Sequence, residues 1–425
     1  KALAMLGVAV LAPAVHGAAS AAGAVASRAA RLRPCARCAT VAAILSNSGA
    51  SPVSKVQISK LRMEALLESE ITHFAIALRP HPITLRQILA HDDAETFRKF
   101  LLEELPIRYA RRIRLIEDMP GWSEAPHMRV CRSIYNDAFR RLRSVAQSDA
   151  ARFRSTLLHI KRRTSNMVTH VVMGTRAIKK SSGLSDSVVD TFLDRFLTDR
   201  IATDTLSSQY LQLTHPSGRG SLVNPQCDPE KIIRSAAADA IATCEKHYRC
   251  APPVDVVGVG HVRFPFIESY LNYIMFELIK NSLRAVTERF GTAGVADHPI
   301  RIVVCGDESN VVIRVSDAGG GIRDIRKAES YLYTTAESQC DAPNAEVDLD
   351  DEYSVAPMAG FGCGLPISRN CAFYVGGRLE LNSTLPYGTD AYLYFNRLGD
   401  AQEYVGAEMA QLPSRGLLPR PGLPQ

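Results

Sequence analysis

A chain of 425 residues is longer than one hydrophobic core usually serves, so two domains with tails are expected. The hydrophobic fraction of 46% suffices for globular packing, but the most apolar stretch, "AMLGVAVLAPAVHGAASAAGAVA", is Ala/Gly-rich with an internal Pro and His, and no membrane span is expected. The net charge of +6 is modest, and no basic run interleaved with aromatics marks a nucleic-acid partner.

No Asp or Glu precedes Glu64, while Lys1, Arg28, Arg31, Arg33 and Arg37 do. An Ala/Ser/Arg-rich, acid-free segment has the composition of a mitochondrial import sequence, expected over residues 1–50 and implying a matrix destination. The ten cysteines, apart from Cys35 and Cys38 in that segment, lack the paired spacings of a zinc site and are expected as reduced thiols.

From about residue 56 to 215 the chain reads as long helices. "AETFRKFLLEELPIRYARRIRLIEDM" and "VVDTFLDRFLTDRIATDTLSSQYLQL" carry apolar residues three and four apart, and such helices with short connections favour an antiparallel bundle. "THPSGRGSLVNPQCDPE" breaks the pattern and marks the junction. Asp228, Pro229 and Glu230 then start a helix, supplying a cap, a preset first turn and an acid at the positive helix end.

Strand-like runs follow at "VDVVGV", "IRIVVCG", "VVIRVSD", "GRLELNS" and "DAYLYF", with "GDESN" and "LPYGT" as hairpin turns. Mixed strands and helices around one sheet predict an α+β layer over residues 226–398. The Pro-rich span 399–425 is expected to be a disordered tail.

Four short pieces in this second half carry chemistry. In "FELIKNSLRA", Glu277 and Asn281 lie four apart on one helix face, flanked by Lys280 and Arg284, which could balance anionic charge or simply be solvated. "SDAGGGI" delivers Asp317 at a strand end, where its carboxylate can accept from an exocyclic amine such as that of adenine. Gly319, Gly320 and Gly321 let backbone come close to a flat ligand. "GFGCGLPISR" places Gly360, Phe361, Gly362, Gly364 and Leu365 before a helix whose free amides face an anion. "YGTD" closes a hairpin with Gly388 and Thr389, whose hydroxyl can reach a base or phosphate. Each piece alone is weak; in this order they are specific. Neither a Walker loop nor a His-Arg-Asp loop occurs.

The ordered set resembles the GHKL (Bergerat-type) ATP-binding α/β sandwich of histidine kinases, ninety-kilodalton heat-shock chaperones, mismatch-repair ATPases and mitochondrial protein kinases. "CEKHYRCAPPVDVVGVGHVRFPFIESYLNYIMFELIKNSLRAV", "YLYTTAE", "GFGCGLPISR" and "FLLEELPIRYARRI" are similar to the mitochondrial branched-chain α-ketoacid and pyruvate dehydrogenase kinase family, over roughly residues 60–397. The resemblance implies ATP and Mg²⁺, with Asn281 on the metal and Glu277 activating the attacking hydroxyl. The remaining nucleotide contacts would come from Lys280, Arg284, Asp317, Gly319, Gly321, Gly360, Phe361, Gly362, Gly364, Leu365 and Thr389. Thr334 and Thr335 would open a mobile ATP lid containing the acidic "CDAPNAEVDLDDEY". K⁺ is raised as a supporting cation with no residue assigned to it.

The implied activity is phosphorylation of serine on the decarboxylase component of an α-ketoacid dehydrogenase complex, which switches the complex off. The helical bundle would dock on lipoyl domains of the acyltransferase core, and homodimers would form through the ATP-binding half. Tyr273 stands where pyruvate dehydrogenase kinases typically carry His, which favours the branched-chain complex as target. An ATP-gated, chaperone-like protein and a non-catalytic nucleotide-binding scaffold are the alternatives. The helical half preceding the ATP module argues against the first, and retention of Glu277, Asn281 and Asp317 against the second. A sensor histidine kinase fits poorly, because His159 in "LLHIKRRT" does not match a phospho-acceptor box.

Two departures from the family fall in the helical half. Thr164 and Ser165 stand where a His is usual, and of a pair of arginines in the α-ketoacid inhibitor pocket only Arg200 remains, with Asp204 in the second place. A carboxylate ligand wants cations there. Weak or altered keto-acid inhibition is expected.

Overall fold

The structure, a computed structural model, describes residues 59–218, 220–333 and 362–404. The expected import segment, the acidic stretch and the span 405–425 lie outside the described residues. From Ser69 on, the chain forms one compact unit.

The helical half comprises α1 (Lys60–Ala77), α2 (Leu85–Ala90), α3 (Ala94–Glu117), α4 (Pro126–Arg143), α5 (Ala150–Arg163), α6 (Met167–Ser182) and α7 (Asp186–Leu213). Local chemistry sets several of their ends. Thr84 and Gln87 form a reciprocal capping box on α2, Asp93 accepts from the first amides of α3, and α6 stops at Gly183 in a left-handed conformation. The two helical patterns read from the sequence become α3 and α7. Their apolar faces pack together around Phe97, Leu101, Leu105, Phe192, Phe196 and Leu206, all 6% exposed or less.

The second half contains β1 (Asn224–Cys227), α8 (Pro229–Tyr248), β2 (Val254–Gly258), β3 (Phe264–Phe266), α9 (Glu268–Gly294), β4 (Ile300–Gly306), β5 (Asn310–Asp317), α10 (Ile325–Ala328), α11 (Gly364–Tyr374), β6 (Arg378–Thr384) and β7 (Gly388–Asn396). Asp228 caps α8 by accepting from the Lys231 amide, with Pro229 in the first turn, as its sequence indicates. Five strands form one sheet in the order β2-β4-β5-β7-β6, parallel between β2 and β4 and antiparallel elsewhere. Alternation buries Ile300, Ile302 and Val304 with Val311, Ile313 and Val315 and with Ala391, Leu393 and Phe395, so one sheet face carries the core. Helices α8, α9 and α11 pack with this layer.

Two features depart from expectation. The presumed junction loop contains β1, which pairs antiparallel with β3. Each of these short strands holds a proline, Pro225 or Pro265, which removes a ladder donor and masks the strand pattern. The first residues of the span expected to be a disordered tail are packed instead. Glu403, 3% exposed, accepts from Arg108 and from the Ile83 amide, and Tyr404 stacks on Phe373. A carboxylate that meets a buried guanidinium pins chain that its composition alone would leave loose.

Candidate functional site

Helix α9 positions the centre of the site. Its buried face, including Tyr270, Ile274, Leu278 and Leu283, locks its rotation, so Glu277 and Asn281 face one direction. Glu277 is only 6% exposed, and its Oε1 accepts from Lys280 Nζ at 2.8 Å. Lys280, expected to face phosphate, is therefore committed to Glu277. Arg284 is held by Glu288, which also accepts from the Tyr248 hydroxyl, on the side of α9 that meets α8. Asn281 is exposed, and its carboxamide has no hydrogen bond to any described residue.

Asp317 ends β5. Its Oδ2 accepts from Ser282 at 3.0 Å, and its Oδ1 accepts from the amides of Gly319 at 2.8 Å and Thr389 at 3.3 Å. Burial raises its carboxyl above the ordinary range in spite of these bonds. A carboxylate offers about four lone-pair sites, so three bonds leave capacity for a ligand donor. The turn after Asp317 presses against α9, where a Cβ on Gly319 would stand 2.5 Å from Ala285 Cβ. The glycine is thus required by helix packing as well as by any ligand.

The glycine turn before α11 closes the other side. Gly362 has a positive φ of 72°, and its carbonyl accepts from the Leu332 amide at 3.1 Å. A Cβ on Gly364 would lie 2.0 Å from Glu277 Oε2, so only glycine lets the first turn of α11 sit against that carboxylate. Leu365 is half-buried in the same turn. Burial pushes the Cys363 thiol up to about 12, which makes it an inert filler of the turn. Gly360, Phe361, Thr334 and Thr335 lie outside the described residues.

Sequence reasoning missed three supports. Ser282 fixes Asp317; Arg289 Nη1 donates to the carbonyls of Ala318 and Tyr387 at 2.7 and 2.8 Å; and Ser383 Oγ accepts from the Ile322 amide at 2.6 Å while touching Thr389 Oγ1 at 3.1 Å. Ser282 adjoins Asn281 and was legible in principle. Arg289 and Ser383 act through backbone contacts that leave no motif.

The residues fit a magnesium nucleotide. Mg²⁺ takes oxygen ligands and keeps several from water and phosphate, so the Asn281 carboxamide, which bonds to no described residue, could supply the protein's share. No cluster of three or more His, Cys, Asp or Glu that would hold a metal by itself occurs among the described residues. No described helix is long and apolar enough to cross a membrane.

In the helical half, Thr164, Arg200 and Asp204 do come together, along with Tyr109, Arg112 and Lys161. Asp204 Oδ1 pairs with Lys161 Nζ at 3.0 Å, and Thr164 Oγ1 turns back to the Ile160 carbonyl at 2.9 Å. The cavity they leave is ≈ 10 Å³, room for about one water.

Residues 82–237 match the family model of mitochondrial branched-chain α-ketoacid dehydrogenase kinase, and residues 267–398 match that of histidine kinase-, DNA gyrase B- and HSP90-like ATPases. The chain is 38% identical over 317 residues to a mitochondrial pyruvate dehydrogenase (acetyl-transferring) kinase of Arabidopsis thaliana, covering 72% of this chain and 86% of the relative. It is 30% identical over 348 residues to isozyme 4 of that kinase from Ictidomys tridecemlineatus, 75% and 82% of the two chains. Isozyme 1 of Homo sapiens is 29% identical over 383 residues, 83% of each chain.

Proposed function

Because the chain belongs to the mitochondrial pyruvate and branched-chain α-ketoacid dehydrogenase kinase family and is an ATP-dependent protein kinase, we propose that it phosphorylates a serine on the decarboxylase component of an α-ketoacid dehydrogenase complex and so inactivates it. The observation that carries this reading is the convergence of Glu277, Asn281 and Asp317 around one face of α9, closed by the glycine turn of α11.

Phosphoryl transfer asks mainly for positioning, charge neutralisation and one group to orient the nucleophile. Asp317 accepts the adenine amine and thereby fixes the register of the nucleotide. The amides of the turn before Gly364 and the positive end of α11 meet the phosphates. The Asn281 carboxamide oxygen would hold Mg²⁺, which when bound would neutralise phosphate charge. The Glu277 carboxylate accepts the proton of the substrate hydroxyl, while Lys280 holds its orientation and keeps a cation beside the transferring group. K⁺ is part of the proposal only as a supporting cation.

Three observations bear on which complex is the target. The relatives named above are pyruvate dehydrogenase kinases, which moves the proposal from the branched-chain complex to the pyruvate complex. The second reading, the branched-chain complex, is favoured by Tyr273 and by the family model matched over residues 82–237. Tyr273 is 3% exposed, and its phenol is held well above the ordinary range by burial, then by the nearby Glu277 charge, so it stays neutral one turn before Glu277. Lipoyl-domain docking by the helical half, over residues 56–215, dimerisation through residues 226–398 and a matrix location belong to the same proposal.

Purified pyruvate and branched-chain decarboxylase components, offered side by side with labelled ATP, test it. Serine label on the pyruvate component supports the first target and label on the branched-chain component the second. No label on either, with ATP slowly hydrolysed, would return the chain to the ATP-gated alternative.

A further inference from the structure

Helix α7 belongs to the helical half, yet it grips the nucleotide-binding half at two successive turns. Asp190 and Asp194 lie four apart on one face of α7, and both hold Tyr331. Asp190 Oδ1 accepts from the Tyr331 amide, and Asp194 Oδ1 accepts from its hydroxyl, each at 2.8 Å. The two Asp194 oxygens also accept from Arg369 Nη2 of α11, at 2.9 and 3.0 Å. Asn370 Nδ2 of the same helix donates to the Tyr331 hydroxyl oxygen at 2.7 Å. Tyr331 is 3% exposed, and its phenol is raised well above its ordinary range by burial and then by the Asp194 charge. The hydroxyl therefore stays a donor at neutral pH.

The chemistry described above uses none of these groups, but all of them lead to it. Leu332, next to Tyr331, sits at a positive φ of 65° and donates its amide to the Gly362 carbonyl. Gly362 begins the turn that brings Gly364 against Glu277 Oε2, a contact too tight for a Cβ. Arg369 lies about one and a half turns into the helix that starts at Gly364. Helix α7 thus reaches Glu277 by two routes, through Tyr331 and Gly362 and through Arg369 and α11.

We propose that Asp194 and Tyr331 are positioning residues: from helix α7 they set the glycine turn Gly362–Gly364, and through it the nucleotide phosphates and the Glu277 carboxylate. The proposal rests on the nucleotide reading of this site. Charge-assisted hydrogen bonds are about twice as strong as neutral ones, and Asp194 and Arg369 are both half-buried. A displacement of about 1 Å at a reacting group costs about a hundredfold in rate, so a loosened clamp acts on catalysis before it unfolds the chain.

The full chain as wild type, Tyr331→Phe, Asp194→Asn, their double variant and Thr203→Val would be compared for binding of a non-hydrolysable ATP analogue with Mg²⁺, for kcat, and for thermal midpoint without nucleotide. Thr203→Val is the control, since it breaks another buried bond of α7, the one its hydroxyl accepts from Arg112 Nη2 at 3.1 Å, which lies within the helical half. The clamp predicts analogue binding weakened about tenfold and kcat reduced about tenfold or more in Tyr331→Phe and Asp194→Asn. Their double variant should lose less than the sum of the two single losses, because the two share the hydroxyl–carboxylate contact. Thr203→Val should lose stability with binding unchanged. Tyr331→Phe keeps the amide bond to Asp190 and the ring packing, so it remains informative if Asp194→Asn fails to fold. Wild-type affinity and kcat in Tyr331→Phe, or losses in all variants that track the fall in thermal midpoint, would overturn the clamp. A wild-type chain that binds no nucleotide would overturn the reading of the site itself.

Discussion

Gly364→Ala tests the closest contact in the site. The added Cβ would stand 2.0 Å from Glu277 Oε2, more than 1 Å inside ordinary contact at 3.4 Å. A flexible carboxylate at the surface would swing aside at little cost, but Glu277 is 6% exposed, and its other oxygen is tied to Lys280, itself 5% exposed. Relief therefore breaks that ion pair or shifts the first turn of α11, and either moves the proposed general base by about 1 Å, a displacement worth about a hundredfold in kcat. Overpacking of this kind costs roughly 1–3 kcal/mol of stability, which leaves a folded protein to assay. Steady-state phosphorylation of the decarboxylase component, with ATP-analogue affinity measured separately, should show kcat down about a hundredfold and affinity down about tenfold at most, because the phosphate-facing turn shifts while Asp317 and Asn281 are untouched. A kcat within about threefold of wild type would refute the claim that Glu277 needs this geometry.

Asp317→Asn replaces an acceptor with a group that can donate, and nucleotide affinity should fall at least about tenfold by calorimetry. Burial raises the folded-state carboxyl of Asp317 above its unfolded value, so its contribution to stability is fully present below the unfolded pKa and is lost as pH rises through the folded one. Nucleotide binding, which uses the ionised form, should in turn weaken on acidification at a higher pH than an ordinary carboxylate would give. Asp317→Asn should abolish that pH dependence. Inhibition by α-ketoisocaproate should be weak, since Asp204 is already paired with Lys161 and the cavity there holds about one water; a micromolar response in the kinase assay would contradict this. Glu403→Ala leaves the buried Arg108 with Glu104 alone and should cost about 3 kcal/mol in denaturant unfolding.

The parts of the fold legible in the sequence were those in which the apolar pattern and the burial coincide. The five runs read as strands became β2, β4, β5, β6 and β7; β4, β5 and β7 alternate against one buried face, whereas β2, at the sheet edge, buries none of its residues and was legible from its β-branched valines. The two short strands β1 and β3 were hidden by Pro225 and Pro265. The packing of Glu403 was hidden because its partner, Arg108, lies far away in the sequence. At the site, Glu277, Asn281 and Asp317 were singled out by the order of motifs. The destinations of Lys280 and Arg284 were not, since a cation on a helix face can turn to phosphate or to a neighbouring carboxylate, and only the rotation of α9 decides. The grip of Asp190 and Asp194 on Tyr331 was invisible for a similar reason: two acids four apart on a helix read as a solvated face until their partner is brought in from another element.

The most direct measurement is label transfer from ATP to a decarboxylase component by wild type and Glu277→Gln, with ATP-analogue binding measured on both. The account predicts serine label with wild type, none with Glu277→Gln, and equal binding by the two. Label transfer that survives in Glu277→Gln would contradict it.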